Sequence, residues 1–565
     1  MGNQSDGAAP QPGEPVSIPK YIFITGGVVS GVGKGVTSAS IGRLLKSRGH
    51  SVVVVKLDPY INVDPGTMSP GQHGEVYVTE DGAETDLDLG HYERFIDDDL
   101  GKGSNLTSGQ VYESVIQSER RGKFLGGTIQ VIPHVTDEIK QRLKDVRLPG
   151  NPDIVIVEVG GTVGDIEGLP FLEALRQLRR EIGPENTLFI HVTYLLHIGA
   201  TGELKTKPTQ HSVAELRSIG ILPDIIVCRS DFPFQPDTRE KIALFCDVDE
   251  RAVISLTTVD NIYRIPLILE EAEAGELIAE KLGLARRKSD LDGWRRMVET
   301  IDNVRRPIEI ALVGKYVAAA DAYISVEHAL MHATVEQERR LVIRLIDSES
   351  LESRSVENAF DGVDGLVVPG GFGPRGIEGK IVAVRYARTH GLPFFGLCLG
   401  MQVAVIEFAR SVLGLPDANS YEFDSEAKDP VIWPMPDHFD QVNLGGTMRL
   451  GSHPCVLLPG SRAANAYDVA TVNERHRHRM EFNNMYRDAM QQKGMVFSGV
   501  SPDGQLVEIA ELTDHPWFVG VQFHPEFKSR PFRPHPLFSG FAAACVRHGA
   551  ALLEGSAARR ESLVS

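Results

Sequence analysis

The chain has 565 residues, a net charge of −18, 42% apolar residues and 24% charged residues. That balance suits globular domains of about 150 residues each and excludes collagen-like, coiled-coil and mostly disordered chains. No apolar run approaches the roughly 18 residues of a membrane span, the acidic balance argues against a nucleic-acid partner, and five scattered cysteines without a CxxC pair argue for a reducing cytoplasm rather than disulfides or structural zinc.

Residues 1–18 are polar, rich in Gly and Pro and without an apolar core, so they read as a disordered tail rather than a signal peptide. Tyr21–Thr25 (YIFIT) reads as a short strand, followed by a glycine-rich loop, a helix over Thr37–Ser47 and a strand over Ser51–Leu57. Such a β-loop-α-β unit implies a parallel sheet. Asp153–Val159, Thr187–Thr193 and Asp224–Cys228 continue it; β-branched runs without alternation suit strands covered on both faces. Residues 283–305 are charged and lack strand signals, which predicts a helix bridging two domains. A second series then begins with Pro307–Val313, Leu341–Leu345, Gly365–Val368 and Pro393–Leu397. The expected organisation is α/β throughout: a nucleotide-binding unit over 19–282, a linker over 283–305, a second unit over 306–552 and a disordered tail over 553–565. No repeat of 20–50 residues is visible, which excludes a solenoid.

The loop GGVVSGVGKGVTS, Gly26–Ser38, sits between strand and helix, where backbone amides and the helix N-terminus attract phosphate. Ser30, Gly31, Val32, Gly33, Lys34, Gly35 and Val36 form its core, and Lys34 supplies a charge for the terminal phosphates. The usual pattern is G-x-x-x-x-G-K-[ST]; here Gly35 follows the lysine, so the magnesium-binding hydroxyl is expected at Thr37 or Ser38. After the second strand, Lys56–Phe95 concentrates Lys56, Asp58, Asp86, Asp88 and His91 in a strand-end segment, where open parallel sheets bind ligands. Carboxylates beside a phosphate loop suit Mg2+, a hard cation. Glu158 ends the buried strand DIVIVEV, as a magnesium-positioning acid does, and Asp165 and Glu167 follow. ELKTKPTQ, Glu203–Gln210, with Arg239 and Lys241 nearby, suits a second polyphosphate or an exposed basic loop equally well.

In the second half, Pro393–Met401 (PFFGLCLGM) is a strand, Gly-x-Cys-x-Gly and a helix: the cysteine form of a nucleophile elbow. A helix N-terminus favours negative charge, and so a thiolate, at Cys398. FVGVQFHPEF places His524 after a strand with Glu526 two residues on, the base and orienting acid of acyl transfer. The amides of VVPGGFGPRG, Val367–Gly376, and of Leu399 are candidates for an oxyanion hole.

In order, PGGFG, GLCLGMQ and FHPEF resemble a class I (triad) glutamine amidotransferase domain. KLDPYINVDPGTMSP, HGEVYVTEDGAETDLDLGHYERF, VEVGGTVGDIE and KTKPTQHSV closely resemble the CTP synthase family, and the likeness runs from about residue 20 to 550. It implies an N-terminal P-loop-type synthetase domain and a C-terminal amidotransferase domain. It also implies a reaction: ATP phosphorylates the 4-oxygen of UTP, and ammonia from glutamine displaces the phosphate to give CTP. Carried over by motif, the loop with Lys34 and Lys56 would hold ATP, Asp88 and Glu158 would hold Mg2+, and Arg229, Phe245 and Val259 would line the adenine pocket. Ser30, Asp165, Ile166, Glu167, Lys205, Thr206, Lys207, Pro208, Thr209, Gln210 and Lys241 would bind UTP, and the same region would admit CTP as feedback inhibitor. Cys398 would be the nucleophile, with His524 and Glu526; Gly371, Leu399, Gln402, Glu422 and Arg479 would hold glutamine; and Gly445–Gly451 resembles the loop that senses GTP, an activator. The family is typically a homotetramer, some members form filaments, and neither nucleic acid nor membrane is implied as a partner. A cobyric acid synthase-like amidoligase is the nearest rival, disfavoured by KTKPTQHSV and the TEDGAETDLDLGHYERF block. An idle filament scaffold is disfavoured by the intact Lys34, Cys398, His524 and Glu526.

Overall fold

The computed structural model describes residues 18–146, 151–200, 202–353, 356–435 and 448–564. Residues 1–17 of the predicted tail over 1–18 and part of the GTP-loop segment, 445–447, lie outside them.

The first unit is built on seven parallel strands. These are β1 (Lys20–Gly26), β2 (Val52–Asp58), β3 (Asn105–Thr107), β4 (Ile154–Val159), β5 (Thr187–Tyr194), β6 (Ile225–Ser230) and β7 (Val253–Thr257). Their order is β7-β6-β5-β1-β4-β2-β3. The β-branched runs read from sequence are buried end to end in β4, as a sheet covered on both faces requires. Register decides the site: Lys56 on β2 pairs with Glu158 on β4, and Ile24 on β1 pairs with the same Glu158. The last residues of three neighbouring strands therefore converge where the chain leaves β1 for α1 (Lys34–Ser47).

The second unit carries a nine-stranded mixed sheet. Five strands are parallel: β8 (Pro307–Gly314), β9 (Arg340–Asp347), β10 (Gly365–Val368), β11 (Phe394–Leu397) and, far along the chain, β16 (Phe518–Val521). The antiparallel strands β12 (Arg449–Leu457), β13 (Thr471–His478), β14 (Met495–Val500) and β15 (Val507–Leu512) extend it beyond β16. The order is β9-β8-β10-β11-β16-β15-β14-β12-β13. Because β11 lies between β10 and β16, the loops after all three open on one edge.

The segment predicted to bridge the units is a helix over Asp292–Asn303, and it is anchored rather than free. Trp294 is fully buried among first-unit residues and its indole N–H donates to the Tyr263 carbonyl at 2.7 Å. The last helix runs from Pro536 to Val564, into the segment 553–565 that the sequence marked as a tail. ALLEGSAARRES has no proline and is dominated by Ala, Leu, Glu and Arg, strong helix formers. Among the described residues no helix is long and apolar enough to cross a membrane.

The units meet over a buried polar interface. Arg475 on β13, fully buried, donates to Glu93 at 2.9 Å, to Asp99 and Glu80 at 3.0 Å and to the Tyr77 hydroxyl at 3.0 Å. Arg530 reaches the same Glu93 and, at 2.9 Å, Asp99. Glu93 lies on the helix Asp88–Ile96, whose first residue belongs to the first site.

Candidate active sites

In the first site the loop turns at Gly31 and Gly33, both with positive φ, and Gly33 opens α1. A side chain on Gly33 would strike the Arg229 guanidinium, which donates to the Val32 carbonyl at 3.2 Å. Lys34 folds back under the loop and donates to the Gly161 carbonyl at 2.6 Å. Burial lowers its pKa, with Glu158 pulling the other way. Gly35 has a geometric cause: a Cβ there would meet both oxygens and the carboxyl carbon of Asp88 within 2.7 Å. The Asp88 carboxylate occupies the ground where the usual loop carries its hydroxyl. The Thr37 and Ser38 hydroxyls are buried and donate to helix carbonyls four residues back, Gly33 and Lys34, at 2.8 Å.

Lys56 is the hub. Its ammonium lies 2.5 Å from Asp88, 2.7 Å from Glu158 and 3.9 Å from Asp86. Burial opposes its charge, but these carboxylates outweigh burial and hold its pKa well above the usual range. Burial likewise raises Asp86, Glu158 and Asp58, whereas Lys56 keeps Asp88 below its ordinary value despite burial. His91 is kept neutral by burial and Arg94, its pKa lowered to about 3. Among the described residues no group of three or more His, Cys, Asp or Glu side chains is arranged as a metal site. Mg2+ needs only one or two carboxylates besides phosphate oxygens and water. Asp88 and Glu158 fit that role: Glu158 Oε1 is buried without a hydrogen-bond partner, and Asp58, Asp86, Asp88 and Glu158 outnumber Lys34 and Lys56.

The remaining nucleotide candidates divide. Asp165, Ile166 and Glu167 stand exposed after β4, with Asp165 accepting from the Thr162 amide at 2.9 Å. Lys205 pairs with Glu203. Lys207 and Pro208 open the helix Lys207–Ser218 after Thr206, while Thr209 and Gln210 face inward, bonded to Thr193 and Thr206 at 3.1 Å. The half-exposed Phe245 lies under the Lys207 ammonium, 5.5 Å from ring centre to Nζ, so its neighbour is the UTP-candidate strip. Val259 packs partly buried at the edge of the first core, Lys241 is exposed, and Ser30 lies exposed on the phosphate loop.

In the second site Cys398 takes φ 49°, ψ −100° between β11 and the helix Leu399–Ser411. This strained turn marks a nucleophile elbow. The flanking glycines are required: a Cβ on Gly396 would lie 2.6 Å from Gly400, and one on Gly400 would strike the Val368 carbonyl. His524 follows β16, and its Nδ1 lies 2.7 Å from Glu526. Burial opposes charge on His524, but Glu526 and Cys398 outweigh it and raise its pKa to about 10. His524 Nε2 is buried with no hydrogen-bond partner among the described residues, in keeping with a ring held for Cys398. Gly370 must be glycine, since a Cβ would lie 2.8 Å from His524 Cε1.

One cavity joins Cys398, His524, Glu526, Gly370 and Gly371 to Gly66, Met68, Pro70, Glu75 and Val76 of the first unit. Burial pushes Glu75 up to about 8 even though Ser325 donates to it, so a largely neutral carboxyl faces this cavity at pH 7. Of the glutamine candidates only Gly371 lines the cavity. Gln402 is buried, donating to the Met480 carbonyl at 3.3 Å, and Leu399 is the first residue of the helix. Glu422 accepts from the Gly373 amide at 2.6 Å, and burial raises its pKa although that hydrogen bond and the charges of Lys315 and Arg479 oppose the rise. Sequence reasoning missed Lys315, Lys380, Glu75 and Arg475. Lys315 and Lys380 carry no motif of their own, whereas Glu75 lies in the HGEVYV block and Arg475 opens the RHRHR run that pointed to Arg479.

A phosphate-loop sheet with a lysine-carboxylate hub, joined through a cavity to a Cys-His-Glu elbow, defines a glutamine-dependent amidoligase. Residues 20–284 match the family described as CTP synthase N-terminus, and residues 318–544 match glutamine amidotransferase class-I. The chain is 64% identical over 529 residues to a CTP synthase of Roseiflexus castenholzii, covering 94% of this chain and 95% of that one. It is 62% identical over 524 residues to a CTP synthase of Thermomicrobium roseum, covering 93% and 95%. Among solved structures it is similar to the Trypanosoma brucei CTPS glutaminase domain with bound acivicin, at 40% identity and a TM-score of 0.41, over 42% of this chain and 94% of that one. The chain belongs to the CTP synthase family, glutamine-hydrolysing ligases that use ATP to convert UTP to CTP in pyrimidine biosynthesis.

Proposed function

We propose that the two sites divide this reaction. At the first, the phosphate loop and Lys34 hold the ATP phosphates, and Lys56 neutralises charge on the phosphoryl group as it passes to the 4-oxygen of UTP, giving a phosphorylated intermediate. Asp88 and Glu158 hold Mg2+, which when bound screens the phosphate charge. Arg229, Phe245 and Val259 border the adenine, and Ser30, Asp165–Glu167, Lys205–Gln210 and Lys241 bind UTP or, as inhibitor, CTP. At the second, His524 takes the Cys398 proton, the thiolate attacks the glutamine amide, and the same histidine protonates the departing ammonia. Glu526 fixes the imidazole, while the Gly371 and Leu399 amides face the oxyanion. Gln402, Glu422 and Arg479 fix the substrate, and water then releases glutamate.

Residues 19–282 are the synthetase unit, 283–305 the linker and 306–552 the amidotransferase unit; GTP activates through Gly445–Gly451, and the enzyme works as a cytoplasmic homotetramer. The observation that carries the reading is the cavity lined by the Cys398 triad on one side and first-unit residues on the other. A nitrogen nucleophile released there starts inside the interface rather than in bulk solvent.

The test is chromatographic detection of CTP from UTP, ATP and magnesium, with glutamine plus GTP in one reaction and an ammonium salt in the other. CTP in both supports the full reading. CTP with ammonium alone removes the amidotransferase assignment, and CTP in neither removes the synthetase assignment.

A further inference from the structure

Gln522 lies one residue beyond β16 and two before His524, and it is fully buried. Its backbone amide donates to the Glu508 carbonyl at 2.8 Å, and the Cys398 amide donates to the Val521 carbonyl at 2.7 Å, which ties the elbow to the end of the same strand. These bonds bring the Gln522 side chain against the nucleophile: its Nε2 donates to Cys398 Sγ at 3.6 Å. Gln522 does not line the cavity that contains Cys398, so it meets the sulfur away from the face that a substrate would approach.

An amide side chain can present either its oxygen or its nitrogen. Here a backbone group decides. The Met480 carbonyl can only accept, so the end of Gln402 that lies 3.3 Å from it is Nε2. The same Nε2 donates to Gln522 Oε1 at 3.4 Å, and this turns Gln522 Nε2 to the sulfur. The thiol in turn donates to the Arg477 carbonyl at 3.7 Å. That carbonyl suits a protonated sulfur and opposes a charged one, whereas an N–H donor favours the charged form.

We infer that Gln522 is a catalytic residue of glutamine hydrolysis: its side-chain amide stabilises the Cys398 thiolate, and Gln402 is a positioning residue that holds this amide with its nitrogen toward the sulfur. The inference rests on the assignment of Cys398 as nucleophile. When His524 Nε2 takes the thiol proton, the sulfur keeps the electron pair and loses its bond to the Arg477 carbonyl. The Gln522 N–H stays on the sulfur until that pair forms the C–S bond of the thioester. The titratable groups that act on the thiol are His524 and Lys380, and the variants below change neither.

The test uses the full-length enzyme. Gln522→Met keeps the length and removes the donor; Gln402→Met keeps the donor and removes the group that orients it. Alkylation of Cys398 by iodoacetamide is followed from about pH 5 to 10 without glutamine, with Cys398→Ala as the blank because the other cysteines are buried. Ammonium-driven CTP formation checks folding. Losing a hydrogen bond to a charged group should raise the midpoint of the rate profile by about one to two units in Gln522→Met. A thiolate of higher pKa is the stronger nucleophile, by about threefold per unit. The profiles should therefore cross, with alkylation roughly 3- to 10-fold slower below both midpoints and roughly 3- to 10-fold faster above them. Gln402→Met should move the midpoint the same way by less. In Gln522→Met the kcat for glutamate release with GTP should fall roughly 3- to 10-fold, with KM changed less than about threefold. An unmoved midpoint in Gln522→Met, or alkylation slowed by one factor at every pH as loss of packing alone would give, overturns the inference. An unmoved midpoint in Gln402→Met overturns the role given to Gln402. Absence of glutamate release from the wild-type protein would instead remove the hydrolysis reading on which it rests.

Discussion

Replacing Gly35 with serine would restore the residue that usually follows the phosphate-loop lysine, and it is expected to disable CTP formation. Helix propensity alone gives the opposite sign, since glycine costs about 1 kcal/mol relative to alanine inside a helix. The geometry decides against it, because a Cβ at this position falls within 2.7 Å of the whole Asp88 carboxyl group. Asp88 cannot give way freely, being bonded to Lys56 at 2.5 Å and starting the helix Asp88–Ile96. Forcing a group into a packed site costs about 1–3 kcal/mol, and losing a charge-assisted hydrogen bond costs about 1.5–3 kcal/mol. If the second cost falls on the reacting complex, turnover drops roughly 10- to 150-fold, at about 1.36 kcal/mol per factor of ten. The assay is ammonium-driven CTP formation, with glutamate release as a check that the second unit is intact. Gly35→Ala should lose a comparable factor, because the Cβ and not the hydroxyl is at fault. Turnover within about twofold of wild type in either variant would refute the reasoning.

Cys398→Ala should abolish glutamine-dependent CTP formation and leave ammonium-dependent formation, as parallel assays would show. Lys34→Ala should remove formation with either nitrogen source, because phosphoryl transfer precedes amination. His524, with its pKa raised to about 10, contributes stability that is full below the unfolded value near 6.5 and is lost as pH rises toward 10. Urea unfolding between pH 6 and 10 should follow that slope, and Glu526→Gln should move the loss to lower pH. Glu93→Gln leaves Arg475 and Arg530 short of a buried counter-charge; a loss of about 3–5 kcal/mol in denaturant unfolding is expected. More glutamate released per CTP should accompany it, because Glu93 holds the two units together.

What the sequence determined was local. β-branched runs defined the strands of the parallel sheet, Gly-x-Cys-x-Gly defined the elbow, and the glycine loop with Lys34 announced phosphate, because each depends on a few consecutive residues. The antiparallel strands β12–β15 carried no comparable signal, nor did the continuation of the last helix to Val564, where a polar composition concealed good helix formers. Tertiary structure decided the rest. It placed Lys56 beside Glu158 through strand register, although 102 residues separate them. It supplied the reason for Gly35, which lies in Asp88 rather than in any neighbour along the chain. It assigned Thr37 and Ser38 to their own helix, joined the two halves through Arg475 and Glu93, and put Lys380 behind the Gly371 loop. Burial and long-range pairing set these features, and a linear pattern contains neither.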